Sequence, residues 1–311
     1  EEVLKKENPT HIGVAFDPAG PTFRHEAFEQ YKAQREETPE AIRLSVPIIK
    51  DIIRAYRIPI LEVAGYEADD VIGTLATEAG RQGITTYMMT PDKDYGQLVS
   101  DKVFMYRPKH TGGFEVMGVE EVKAKFDIQS PAQVIDMLGL MGDSSDNIPG
   151  CPGVGEKTAQ KLISEFGSIE NLLEHTDQLK GALKTKVETN REMITFSKFL
   201  ATIKIDVPIQ LEMDSLVREE ADEDSLRSIF EELEFRTLID RVLKKEVSGN
   251  GITSTPGSKV ATGKSAPSPL PLFPEEGGGI QGDLFANFTP NEPNEAKKSN
   301  LETLESQPHN Y

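Results

Sequence analysis

The chain has 311 residues, a formal net charge of −18 and an apolar content of 37 %. That length accommodates one or two domains with a real core, and the modest apolar share implies that part of the chain stays outside any core. A single cysteine, Cys151, excludes a disulfide framework and suits a cytoplasmic protein, and no apolar run approaches the length of a membrane span.

Residues 1–6 read as the end of a helix and Asn8-Pro9 as a turn after it, with no signal peptide. Since the first residue is Glu1 rather than Met, the N-terminus is expected upstream. The apolar run 11–16 ends at Asp17 and reads as a buried strand. Residues 39–56 carry Ile42, Val46, Ile49, Ile52 and Ile53 at helical spacing. A strand is expected over 58–63, a helix over 68–81 with Gly83 as its stop, and a strand over 85–89 that ends just before Asp92. Short strands follow at 103–106 and 114–117. Strands alternating with helices predict an α/β domain over residues 1–118, with a mainly parallel sheet flanked by helices. From Val119 the pattern is mostly helical. A helix over 131–141, a polar loop over 142–149, a glycine-rich turn and further helices to about Leu243 make a helical subdomain over 119–245. From about Ser248, Gly, Ser, Pro, Asn and Glu dominate without periodicity, so residues 246–311 read as a disordered linker. Its apolar islands at 270–273 and 284–288 read as chance rather than as docking motifs.

Net acidity argues against a nucleic-acid partner unless the acids gather where divalent cations neutralise them. Their placement therefore decides. Asp17 follows a strand, Glu67, Asp69 and Asp70 open a helix, Asp92 and Asp94 follow a strand, and Asp143 and Asp146 lie in the polar loop. Ligands of an open α/β sheet gather at the carboxyl ends of its strands, so the first three groups can converge. Glu67 and Asp70, three apart, are expected on one helix face, with Asp69 pointing elsewhere. Each group alone has an ordinary reading. Acids favour helix N-termini, Asp92 and Asp94 fit a turn and an N-cap, and Asp143 and Asp146 fit a solvated loop. Four groups recurring at the ends of elements, with no Cys or His ligand set nearby, suit Mg²⁺ or Mn²⁺ rather than Zn²⁺. Two such ions roughly 3.5–4 Å apart would clamp a phosphodiester, and no Ser, His or Cys nucleophile is then needed.

At these residues the chain resembles the 5′-nuclease domain of bacterial DNA polymerase I, a relative of the flap endonucleases. The matching segments are Phe16-Asp17, Thr22-Phe23-Arg24, Tyr31-Lys32, Gly65-Tyr66-Glu67-Ala68-Asp69-Asp70-Val71, Asp92-Lys93-Asp94, and the run from Gly142-Asp143-Ser144-Ser145-Asp146-Asn147-Ile148-Pro149-Gly150 to Gly153-Val154-Gly155-Glu156-Lys157-Thr158-Ala159. The resemblance covers about the first 245 residues and implies a PIN/5′-nuclease-like fold. It assigns the active-site metals to Asp17, Glu67, Asp69, Asp70, Asp92, Asp94, Asp143 and Asp146. The family begins with a strand ending in a metal-ligand aspartate, upstream of the position that matches Asp17, and this chain starts after it. Proofreading-like and polymerase domains are expected downstream of the linker.

Gly153-Val154-Gly155, followed by Glu156, Lys157 and Thr158, reads as a tight hairpin opening a helix, where backbone N–H groups can approach a phosphate. The resemblance makes it the hairpin of a helix–hairpin–helix-type element that grips duplex backbone, with a monovalent cation such as K⁺. Arg24, His25, Tyr31, Lys32 and Arg35 form a basic and aromatic cluster suited to phosphates and exposed bases. The resemblance places it in an arch over the active site, with Lys32 and Arg35 orienting the scissile phosphate. The expected function is a Mg²⁺-dependent 5′-nuclease acting on 5′ flaps, nicks and RNA primers on DNA, in a bacterial cytoplasm at the nucleoid. Two readings stand beside it: a branched-DNA-binding module that cleaves little, and a small-molecule phosphatase, which gives no reason for the hairpin.

Overall fold

The computed structural model describes residues 2–109 and 112–243. The linker expected over 246–311, with its two apolar islands, lies outside them. The first part contains α1 (Glu2–Lys6), β1 (Val14–Ala15), α2 (Phe23–Ala27), α3 (Glu40–Ala55), β2 (Ile60–Leu61), α4 (Ala68–Arg81), β3 (Thr86–Met89), β4 (Val103–Pro108) and β5 (Phe114–Met117). The second part is helical: α5 (Val119–Phe126), α6 (Gln133–Met141), α7 (Glu156–Phe166), α8 (Ile169–Glu174), α9 (Gly181–Thr189), α10 (Arg191–Ala201), α11 (Met213–Leu216), α12 (Glu223–Glu232) and α13 (Arg236–Leu243). Among the described residues no helix is long and apolar enough to cross a membrane.

The strands are parallel where they follow crossovers and antiparallel where they share a hairpin. β1 pairs parallel with β2, placing Val14 opposite Ile60. β3 pairs parallel with β4, and β4 antiparallel with β5. The single sheet expected from the sequence is thus two among the described residues, β1-β2 and β3-β4-β5, and β5 departs from the parallel pattern. A parallel connection needs a crossover of a dozen residues or more, and the few residues between β4 and β5 permit only a hairpin.

Helix α4 packs against both sheets. Its Val71 and Leu75 are buried with Val207 against Ala15, Leu61 and Val63, while Ala76 joins the core of Met88, Val103 and Met105. Asp69 and Asp70 lie in its first turn and Arg81 in its last, both favourable to the helix dipole. The main core continues into the helical part, where Val134, Met137, Leu138 and Leu140 of α6 have no exposed surface. A helix buried nearly all round belongs in an interior, and α6, whose Gln133 and Asp136 are buried as well, lies between α7 and α10. One apolar core therefore runs across the boundary expected near residue 118. The described residues form one compact unit.

The loop after α6 closes on itself. Asp143 and Ile148 exchange backbone hydrogen bonds of 2.9 and 2.8 Å. Gly142 and Gly150 cross so closely that a Cβ on Gly142 would lie 2.4 Å from the Ile148 carbonyl oxygen, and both have positive φ, +73° and +61°. Only glycine tolerates this approach. The closed loop projects Asp143 and Asp146 from a rigid base.

Candidate metal centre

Four segments carry the acids into one neighbourhood. Asp17, just past β1, accepts a hydrogen bond from the Ala68 N–H at 2.8 Å, which seats it at the start of α4. Asp69, in the first turn of α4, accepts from the Tyr95 hydroxyl at 2.6 Å. Asp92 caps the 3₁₀ turn Lys93–Leu98 by accepting from the Asp94 N–H at 2.9 Å. Asp143 accepts from the Ser145 N–H and hydroxyl at 2.7 and 2.5 Å and pairs with Lys93 at 2.9 Å. Asp146 pairs with Arg35.

Electrostatics show how crowded these carboxylates are. Burial pushes Asp94 well above the usual carboxylate range, and the negative charges of Asp92, Asp143 and Asp146 push further in the same direction. Burial likewise raises Asp69 to about 6, with Asp92 and Glu67 adding to it while the Tyr95 hydrogen bond and Lys32 oppose. Burial alone would raise Asp143 too, but the Ser145 hydrogen bonds and the Lys93 charge overcome it and hold Asp143 low. Asp94 Oδ1 is buried with no hydrogen-bond partner. An unpartnered carboxylate oxygen is costly in an interior, and a cation is the natural way to satisfy it.

The lysines and arginines around the acids were only partly anticipated. Lys32 takes a left-handed φ of +56°, uncommon for a non-glycine residue, and is held there by its N–H donating to the Asp146 carbonyl at 3.0 Å. This turn sends Lys32 Nζ to Glu67 Oε1 at 2.7 Å and to Asp146 Oδ2 at 3.7 Å. Burial would lower the Lys32 pKa, but Glu67 and Asp146 raise it on balance, and Asp143 does the same for Lys93. Lys93 and Tyr95 were missed as site residues. The Asp-Lys-Asp run was a usable signal for Lys93, whereas nothing in the periodicity marks Tyr95.

Three expectations need correction. Asp70 does not face the other acids. It has no exposed surface and forms a bidentate pair with Arg24, both bonds 2.8 Å, while accepting from the Glu67 and Lys204 N–H groups at 3.0 and 2.8 Å. Its oxygens are fully used, so it leaves the metal set, and Asp69 faces the cluster instead. Arg24 is 2 % exposed and also donates to Glu67 Oε2 and to the Leu200 and Thr202 carbonyls, so it cannot reach a phosphate. Tyr31 is 3 % exposed, so no base can stack on it; its hydroxyl lies 3.1 Å from both Glu67 Oε2 and Asp146 Oδ2. Burial and these two carboxylates raise the Tyr31 pKa and keep the phenol protonated.

Donor type and charge fit hard divalent cations, because the set is all oxygen and includes an unpartnered buried atom. The side chains are not arranged as a closed shell. Among the described residues no three Asp, Glu, His or Cys groups surround a single point, since Glu67, Asp143 and Asp146 turn oxygens toward Lys32, Lys93 and Arg35.

The hairpin lies beyond the 142–150 loop. Val154 is buried, so its side chain anchors the turn while Gly155 caps α7. Lys157 is exposed and Thr158 half-buried. Lys186 of α9, not anticipated, places Nζ 3.4 Å from the Gly153 carbonyl oxygen.

Family models match most of the described chain. One described as 5′–3′ exonuclease, N-terminal resolvase-like domain, covers residues 1–127, and one described as 5′–3′ exonuclease, C-terminal SAM fold, covers residues 129–224. DNA polymerase I of Bacillus subtilis is 44 % identical over 243 residues, which is 78 % of this chain and 28 % of that protein. The chain thus spans little more than a quarter of that relative. A structure described as divalent metal ions (zinc) bound to T5 5′-exonuclease superposes with a TM-score of 0.57 at 21 % identity, covering 74 % of this chain and 87 % of the other. The catalytic core of Rad2 in complex with DNA substrate gives a TM-score of 0.50 at 17 % identity, covering 74 % and 76 %.

Proposed function

The chain belongs to the 5′–3′ exonuclease family, and on that premise we propose that it is a Mg²⁺-dependent 5′-nuclease that hydrolyses phosphodiester bonds at 5′ flaps, nicks and RNA primers on DNA. The observation that carries this reading is the convergence of Asp17, Glu67, Asp69, Asp92, Asp94, Asp143 and Asp146, with Asp94 Oδ1 buried and unpartnered. These side chains hold the divalent ions. Mn²⁺ suits the same oxygen donors. When bound, the ions supply Lewis acidity to the phosphodiester.

The chain's other residues position the substrate. Lys32 and Arg35 carry long, half-buried or exposed stems and orient the scissile phosphate, Arg35 through its planar donor fork. The first 118 residues together with the 142–150 loop act as the metal-binding part, and the rest of the helical part as the DNA grip. Gly153, Gly155, Lys157 and Thr158 contact duplex backbone, aided by the α7 N-terminus. A K⁺ ion at the hairpin has a built-in competitor, because the Lys186 ammonium already faces the Gly153 carbonyl. The 44 % identity to a DNA polymerase I supports a nuclease that works beside a polymerase.

The test is cleavage of an end-labelled 5′-flap duplex. Mg²⁺ is expected to support cleavage near the junction, and chelation by EDTA to abolish it. Cleavage that persists in EDTA, or hydrolysis of small phosphate esters that flap DNA does not compete away, would remove this reading.

A further inference from the structure

We propose that Tyr31 is a positioning residue whose hydroxyl ties Glu67 to Asp146 and so sets the spacing between the acids of α4 and those of the 142–150 loop. The inference rests on the nuclease reading above and goes beyond it by giving a role to a side chain that touches no substrate.

The two carboxylates come from segments with no strand pairing between them, so side chains must fix their separation. Glu67 precedes α4 in extended conformation, and Asp146 sits on the closed glycine loop. Tyr31 Oη lies 3.1 Å from an oxygen of each, so its single O–H is shared between the two carboxylates. Its ring is locked by burial and by an edge-on contact with His25 at 5.2 Å between centroids. A phenol has two side-chain torsions, so a locked ring fixes its hydroxyl in space.

Lys32 is the other side chain spanning the pair, at 2.7 and 3.7 Å. It differs in two ways. Its ammonium rides on a flexible four-carbon stem, and it is the group assigned to the phosphate. As Lys32 turns toward a phosphate it loosens its hold on the carboxylates, whereas Tyr31 cannot follow. Arg24 and Arg35 each hold only one member of the pair, Glu67 and Asp146 respectively. Among the described residues Tyr31 is therefore the rigid, uncharged link between them. Hydrogen-bond partners of metal-binding side chains typically matter at the level of about 10–100-fold in metal affinity.

The variant Tyr31→Phe keeps the ring and removes the hydroxyl. Mn²⁺ binding, followed by titration calorimetry without DNA, is expected to weaken about tenfold or more. The Mg²⁺ concentration for half-maximal flap cleavage should rise in parallel. Flap affinity in EDTA should stay within about twofold, because the ring itself contacts no base, and the melting temperature should fall only slightly. Tyr31→Met, which fills the space but donates nothing, serves as a second variant and should show the same loss. Mn²⁺ affinity equal to that of the unaltered chain in either folded variant overturns the proposal. Flap affinity lost in Tyr31→Met but kept in Tyr31→Phe, with Mn²⁺ affinity unchanged in both, would instead assign the ring to DNA. Failure of the unaltered chain to bind Mn²⁺ at all is a different result, and it removes the nuclease reading along with this one.

Discussion

Asp143→Ala is expected to lower the single-turnover rate of flap cleavage by about 10³-fold or more while flap affinity changes only a few-fold. Asp143 is 7 % exposed and held on a closed loop, so its position is set before any substrate arrives. Groups preorganised around developing charge contribute on the order of 10²–10³ in rate each, and loss of an ion-binding carboxylate removes more than one such contribution. A carboxylate near a phosphate contributes no direct attraction, so its removal should leave binding intact or improve it. The backbone pair between Asp143 and Ile148 does not involve the side chain, and the fold should survive. Asp143→Asn is the sharper companion, since it keeps the shape and an acceptor for the Ser145 hydrogen bonds but loses the charge. Cleavage within tenfold of the unaltered rate in both variants would take Asp143 out of the site.

The largest stability effect is expected at Arg24. Arg24→Leu should destabilise the fold by about 3–5 kcal/mol, because it strands the buried Asp70 carboxylate without its partner. The pair is bidentate, wholly interior, and tied to the Leu200 and Thr202 carbonyls at the end of α10. Burial by itself would lower the Arg24 pKa, but the Asp70 hydrogen bonds and charge raise it on balance, so the guanidinium stays charged. Replacing both partners, Arg24→Leu with Asp70→Leu, should recover much of the loss, since two apolar groups leave no unpaired charge. Urea unfolding of the two single variants and the double variant measures all three terms. A loss below about 1 kcal/mol for Arg24→Leu, accompanied by weaker flap binding, would return Arg24 to the DNA surface where sequence reasoning put it.

Sequence pattern located the elements better than the directions in which side chains point. The α4 limits 68–81 and the strand at 114–117 agree with the fold, because capping acids, a glycine stop and β-rich runs are local signals. The exchange between Asp69 and Asp70 has a physical cause. Glu67 is not yet helical, with φ −80° and ψ 160°, so the i,i+3 relation to Asp70 does not define a helix face. Asp70 instead folds back onto the Glu67 N–H. The basic and aromatic cluster at 24–35 was legible as composition. Whether each member points inward depends on the tuck of α2 against α4 and on the left-handed turn at Lys32, neither of which leaves a periodic trace. The division of the strands into two sheets is tertiary and was likewise unreadable. The gathering of the acids was readable because each group sits at the end of an element.

The central claim is that metal chemistry and duplex grip reside on different parts of this chain. It is tested most directly by single-turnover flap cleavage at saturating DNA, comparing Asp146→Ala with Lys157→Ala across enzyme and salt concentrations. Asp146→Ala should bind flap DNA but cleave it at least about a hundredfold more slowly, since an interaction made mainly in the transition state is lost. Lys157→Ala should bind more weakly, with a salt dependence shallower by up to about one unit of slope, yet cleave at a near-normal rate once saturated. A Lys157→Ala protein whose saturating rate falls as far as that of Asp146→Ala would contradict the account.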